Sequence, residues 1–153
     1  MIVENLALAG LLSALSFGIH FLGIIGLIGV LRRLNERPRA LVSILSQAVF
    51  ILGIVGSLSM LHSIQIWIYA FTFLILGEFN TVADALYYSI STFTTVGFGD
   101  LNMSEQWRIF GATESMTGFL MIGWSTAFLV SVSSRLFAFE RNIEQLVDPP
   151  NSP

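Results

Sequence analysis

Residues 94–100, TTVGFGD, carry two glycines at alternate positions and no strong helix former. Glycine reaches positive φ without a Cβ penalty. Gly97 and Gly99 therefore allow the carbonyls of a Thr-Val-Gly-Phe run to point to one side. Four such strands around an axis stack rings of carbonyl oxygens, and rings of that kind replace the hydration shell of a dehydrated potassium ion. Thr95 then adds its hydroxyl at the inner end of the stack, while Val96 and Phe98 point away and pack against a supporting helix. The motif occurs once in the chain, so a ring of four requires four chains.

Irregular backbone of this kind has to be positioned by its surroundings, and the composition says what they are. The chain has 153 residues, 54% hydrophobic and only 11% charged, with a mean hydropathy of +0.78. Soluble domains carry about 25% charged residues, so the chain belongs in a bilayer and a soluble enzyme is excluded. There is no cysteine, which removes disulfides, zinc–thiolate sites and thiol nucleophiles. All seven basic residues are arginine, so lysine Schiff-base and Walker chemistry is absent too. A net charge of −3 argues against a nucleic-acid partner. No cofactor is expected.

The first apolar segment, 6–31, has 26 uncharged residues, more than the ~20 that cross a hydrocarbon core. Its only early charge is Glu4, unlike the basic start of a signal peptide, so it reads as a retained span. Gly23, Gly26 and Gly29 line one side of it, as suits close helix contact. A basic break follows at 32–39, with four arginines and Pro38.

Residues 40–77 are again uncharged, with polar residues at Ser57, Ser59, His62, Ser63 and Gln65 near the middle. Either a turn near 57–63 divides two helices, or one long helix turns a polar stripe toward its neighbours. The positive-inside rule favours a single crossing with an external N-terminus. After a polar break at 78–80, residues 81–93 read as a short amphipathic helix with Thr81 as N-cap and Asp84 at its third position. It is too short to span. Trp107 and Arg108 mark an interface, with Trp67 and Tyr69 as further interfacial anchors. Residues 109–134 form the last span, containing one acid, Glu114.

The stretch 84–100, DALYYSISTFTTVGFGD, resembles the pore helix and selectivity filter of the potassium channel pore-domain family, with TVGFG in the place of its TVG[YF]G signature. The resemblance covers about 55–100 and 107–135; residues 1–40 share none. It implies an all-α integral membrane protein: outer helix, re-entrant pore helix and filter loop, inner helix, and an additional N-terminal transmembrane helix. The expected domains are 1–39, the N-terminal helix and basic loop; 40–135, the pore domain; and 136–153, a short cytoplasmic tail. It also implies a homotetramer in the plasma membrane that passes potassium through Thr95, Val96, Gly97, Phe98 and Gly99. Potassium is then the permeant ion, and the partners are the bilayer and three further copies. A weakly selective cation channel and a non-conducting regulatory subunit are the alternatives.

The resemblance also shows departures. Phe98 lacks the hydroxyl that a tyrosine would use to brace the filter. Ser91 stands where some relatives place a glutamate, leaving Asp100 without a carboxyl partner there. Thr94, Tyr88, Ser91, Asp100 and Glu114 are the expected filter supports, with the hydroxyls of Tyr87, Tyr88, Ser91 and Thr92 as partners for Glu114. The competing expectation is that Glu114 snorkels to the outer interface. Gly118 is either an inner-helix hinge or a point of close packing. His62, with Gln65 one turn on, is either a pH sensor or a satisfied buried histidine.

Overall fold

The computed structural model describes the backbone of residues 2–35 and 44–147. The basic stretch from Glu36 to Arg39 and the chain beyond residue 147 lie outside the described residues. Four helices follow one another: α1 (Ile2–Asn35), α2 (Ile44–Ile75), α3 (Val82–Phe93) and α4 (Arg108–Val147). Three of them, α1, α2 and α4, are long and apolar enough to cross a membrane.

The second apolar segment is one helix. There is no turn near 57–63: Ser57 and Ser63 bond within the helix, and His62 and Gln65 face its neighbours. Ser57 Oγ donates to the Gly53 carbonyl and Ser63 Oγ to the Ser59 carbonyl, satisfying the hydroxyls without a break. His62 and Gln65 instead reach across to α4 and α1. At 1.5 Å per residue the 32 residues of α2 run about 48 Å, so the helix outruns a core of ~30 Å.

Gly77 ends α2. Its φ of +75° places it in the left-handed cap position, where its N–H bonds to the Leu74 carbonyl and that of Glu78 to Phe73, the paired bonds of a Schellman motif. Four residues later Thr81 starts α3. Its hydroxyl accepts the Asp84 N–H at 3.0 Å and donates to Asp84 Oδ2 at 2.7 Å, so the N-cap falls where the residue pattern puts it. The start of α4 is held from two sides. The Glu78 carboxylate accepts the N–H and Oγ–H of Ser104. Asn5 on α1 accepts the Phe110 N–H through Oδ1 at 3.2 Å and donates to the Gln106 carbonyl at 2.7 Å.

Helix directions follow from paired contacts. Along α1 and α4 the pairs are Asn5 with Phe110, Ser13 with Thr117 and His20 with Ser125. Both numbers rise together, so the two helices run parallel. Between α1 and α2 the pairs are Ser16 with Gln65 and Gly23 with Leu61, so α2 runs the other way. The N-terminus of α1 therefore lies at the same end as the loop that precedes α4. That is the relation a single crossing by α2 demands.

Lipid tails are as apolar as leucine, so these helices hold together by packing and polar contacts rather than by a hydrophobic drive. Around the 94–100 end, Phe73 packs edge-on against Tyr88 and Phe110 at centroid separations of 5.4 and 5.5 Å. Tyr69 is fully buried in the same cluster; it is a core residue, not an interfacial anchor. Its hydroxyl is buried without a hydrogen-bond partner among the described residues. A smaller cluster of Ile54, Leu58 and Val132 closes the other end. Of the α1 glycines only Gly23 meets a neighbour, the side chain of Leu61, while Gly26 and Gly29 face open space.

Replacing Asn5 by alanine strips the α4 N-terminus of a side-chain cap, a loss worth about 1 kcal/mol. The thermal midpoint of Asn5→Ala in detergent should fall below that of the unaltered protein. An unchanged midpoint would mean that α1 does not cap α4.

Candidate functional site

The short helix α3 leads into the 94–100 segment without a linker. Thr94 caps α3, its N–H and its hydroxyl both directed at the Ile90 carbonyl at 3.1 and 2.7 Å. Beyond it φ is positive at Thr95 (63°), Gly97 (57°) and Gly99 (78°), and at no other described non-glycine residue. Left-handed backbone is expected at glycines but is an outlier for a β-branched residue. Thr95 thus extends the alternation by one step beyond what the two glycines announce.

This alternation has a geometric consequence. Gly97 N–H bonds to the Ser91 carbonyl at 3.1 Å and Phe98 N–H to Ser91 Oγ at 3.2 Å. Two successive amides thus turn back toward one residue of α3. Every described peptide is trans, and in a planar trans unit the carbonyl opposes the N–H. The carbonyls of Val96 and Gly97 therefore both point away from α3. In a regular strand consecutive carbonyls alternate sides; here they share one. At the C-terminal end of the segment Asn102 Nδ2 donates to the Gly99 carbonyl and Leu101 N–H to Asp100 Oδ1.

Asp100 also has a partner on α3, supplied by Tyr87: the phenol donates to Asp100 Oδ2 at 2.9 Å. The bond to Asp100 pushes the Tyr87 phenol above its ordinary range, which favours its donor form. Phe98 stacks on the same ring, 6.0 Å between centroids and 13° between planes. Phe98 therefore meets the supporting helix, yet it stays 67% exposed, and Val96 is 55% exposed. Tyr88 faces the opposite way, into the aromatic cluster beside Phe73 and Phe79, and its hydroxyl lies against Gly111. A cavity of about 510 Å³ opens on this flank, lined by Tyr87, Ser91, Thr95, Asp100, Arg108 and Ser115 among others.

Glu114 is fully buried and does not reach the interface. Its partner is Ser89, not any of the four hydroxyls named from the residue pattern. Ser89 Oγ lies 2.5 Å from Glu114 Oε1 and 2.9 Å from the Ile66 carbonyl of α2. One hydroxyl hydrogen cannot serve both acceptors; a hydrogen on the Glu114 carboxyl would supply the second bond. Through this contact α4, α3 and α2 meet at one point behind the 94–100 segment. Gly118, one turn on, is helical, and a Cβ there would stand 2.0 Å from the Phe93 carbonyl. Any side chain at 118 would force α4 off the end of α3.

Helix α3 and its loop of alternating left-handed backbone are backed by α2 and α4. An ion channel family model matches residues 57–135, just over half of the 153-residue chain. The chain belongs to the ion channel family and is a multi-pass membrane protein. No curated protein and no solved structure gives a match. The matched region starts inside α2, so α1 lies wholly outside it.

Deleting the Glu114 carboxyl leaves Ser89 bonded to the Ile66 carbonyl alone and removes the polar tie between α4 and α3. Single-channel recording should show shorter openings for Glu114→Ala. Glu114→Gln should be milder, because its amide N–H can donate to Ser89 in the same place. Equal open times for the alanine variant and the unaltered protein would remove Glu114 from the support of α3.

Proposed function

We propose that the chain forms a potassium-selective channel in the plasma membrane, conducting passively through four copies of the 95–99 segment arranged around one axis. The observation that carries this reading is the positive φ at Thr95, Gly97 and Gly99, together with the anchoring of the Gly97 and Phe98 amides on Ser91. That combination leaves neighbouring carbonyls free on the side away from α3. Rings of such carbonyls coordinate a dehydrated potassium ion. Thr94, Ser91, Asp100, Tyr88 and Glu114 support the segment, with Tyr87 and Ser89 added to them from the geometry. Gly118 is a contact between α4 and α3, which limits its use as a hinge.

Fourfold assembly is supported by what one chain leaves uncovered. Val96 and Phe98 expose apolar side chains on backbone that membrane depth tolerates only when protein or a water-filled path surrounds it. A neighbouring copy supplies that cover, in a closed head-to-tail ring.

Purified chain in proteoliposomes tests the function. Potassium efflux well in excess of sodium efflux is expected. Equal fluxes would identify a weakly selective cation channel, and no flux a non-conducting subunit. Native mass spectrometry in detergent should find four 16.9 kDa chains; a monomer or dimer as the sole conducting species would contradict the ring.

A further inference from the structure

Both histidines of the chain meet at one place, outside the glycine loop itself. His20 on α1 and His62 on α2 stack with ring centroids 5.3 Å apart. Both Nε2 atoms face Ser125 Oγ on α4, at 3.3 Å from His20 and 2.9 Å from His62. His62 Nδ1 lies 3.3 Å from Gln65 Oε1, and Gln65 Nε2 donates to the Ser16 carbonyl at 2.9 Å. His20 is fully buried, and its Nδ1 has no hydrogen-bond partner.

Counting hydrogens assigns the whole chain of bonds. The Ser16 carbonyl can only accept, so the Gln65 amide nitrogen faces it and Gln65 Oε1 faces His62. His62 Nδ1 must then be the donor, which leaves its Nε2 as an acceptor in the neutral ring. The Ser125 hydroxyl fills that acceptor, and its own oxygen accepts from His20 Nε2–H. One lone pair is left over, on His20 Nδ1. It is the open position for a proton in an otherwise satisfied network.

We infer that His20, Ser125 and His62 form a proton-binding site that couples protonation of His20 Nδ1 to the support of α3. An added proton places an imidazolium between a stacked imidazole and the Trp124 ring, 5.4 Å away, at membrane depth, where a charge without an acidic partner is costly. No described acid faces it. On α1, Glu4 lies sixteen residues before His20 and Arg32 twelve after it; on α2, Tyr69 lies seven residues from His62. On α4, Glu114 is eleven residues before Ser125, and α3 presents only Phe93, 5.8 Å from the His62 ring. Relief comes from parting the rings and admitting water, which shifts His62 away from Ser125 and Phe93. Phe93 is the residue whose carbonyl seats on Gly118, so moving His62 loosens the end of α3 just before the loop. Acidification should therefore lower flux. The link to flux rests on the channel reading; the proton assignment does not.

Because the chain has two histidines, imidazole-¹⁵N labelling reports on this site alone. NMR of the full chain in lipid, from about pH 8 to about pH 4, should find His20 as the Nε2–H tautomer and His62 as the Nδ1–H tautomer at the upper end. His20 should then take up its proton at Nδ1 as the pH falls. Potassium flux in proteoliposomes should fall severalfold in step, and His20→Gln, read relative to its own flux at pH 8, should be flat. A His20 Nδ1–H tautomer, titration without a flux change, or an undiminished pH response in His20→Gln would each overturn the inference. Absence of flux at every pH would speak against the channel reading, and the tautomers would still decide the proton site.

Discussion

Backbone amides and carbonyls cannot be left bare at membrane depth, and the 94–100 segment cannot satisfy its own. It is neither helix nor strand. Ser91 resolves half of the problem by accepting two successive amides, one on its carbonyl and one on its hydroxyl. The other half is left unresolved within the chain, because the matching carbonyls face away. Much of the remaining structure serves to hold α3 still while those carbonyls stay unpaired. In the reading proposed above, permeating ions and water complete them.

The holding is done by polar contacts set into an apolar packing. Glu114 and Ser89 join α4 to α3, and Ser89 also reaches the Ile66 carbonyl on α2. Glycine at 118 lets the two backbones approach. A seam of polar pairs, from Asn5 at one end through Ser13–Thr117 to His20–Ser125, fastens α1 along α4. In lipid such contacts replace the hydrophobic drive that would join helices in water. The seam also makes α1, which lies outside the family match, part of the support for α4.

The spans, the short helix with its Thr81 cap and the glycine loop were legible because each rests on local pattern: apolar length, a capping residue, alternate glycines. The family match to residues 57–135 agrees with the part of the chain where the resemblance was read. What stayed illegible depends on partners far apart in sequence. Nothing local links Tyr87 to Asp100, Asn5 to Phe110 or His20 to Ser125. Glu114 was legible as a buried acid, because ionisable groups inside a span usually face protein. Its partner was not, since the choice among the hydroxyls of α3 depends on how the helix is rotated. Whether 40–77 crosses once was open on length alone; the parallel run of α1 and α4 decides the relation between helix ends. Tyr69 shows the limit of reading aromatics as anchors: it is packed against Phe73 and Phe110 inside the helix cluster.

The central claim is that left-handed backbone at alternate positions turns the carbonyls to one side. Gly97 isolates that claim, because a Cβ there would meet nothing within 4 Å in its own chain, while its φ is +57°. An L-residue in left-handed backbone costs about 1–2 kcal/mol, and a D-residue does not. Semisynthetic protein with D-alanine at 97 should keep the ratio of potassium to sodium flux, whereas L-alanine should collapse it. Equal behaviour of the two enantiomers, whether both intact or both dead, would contradict the account.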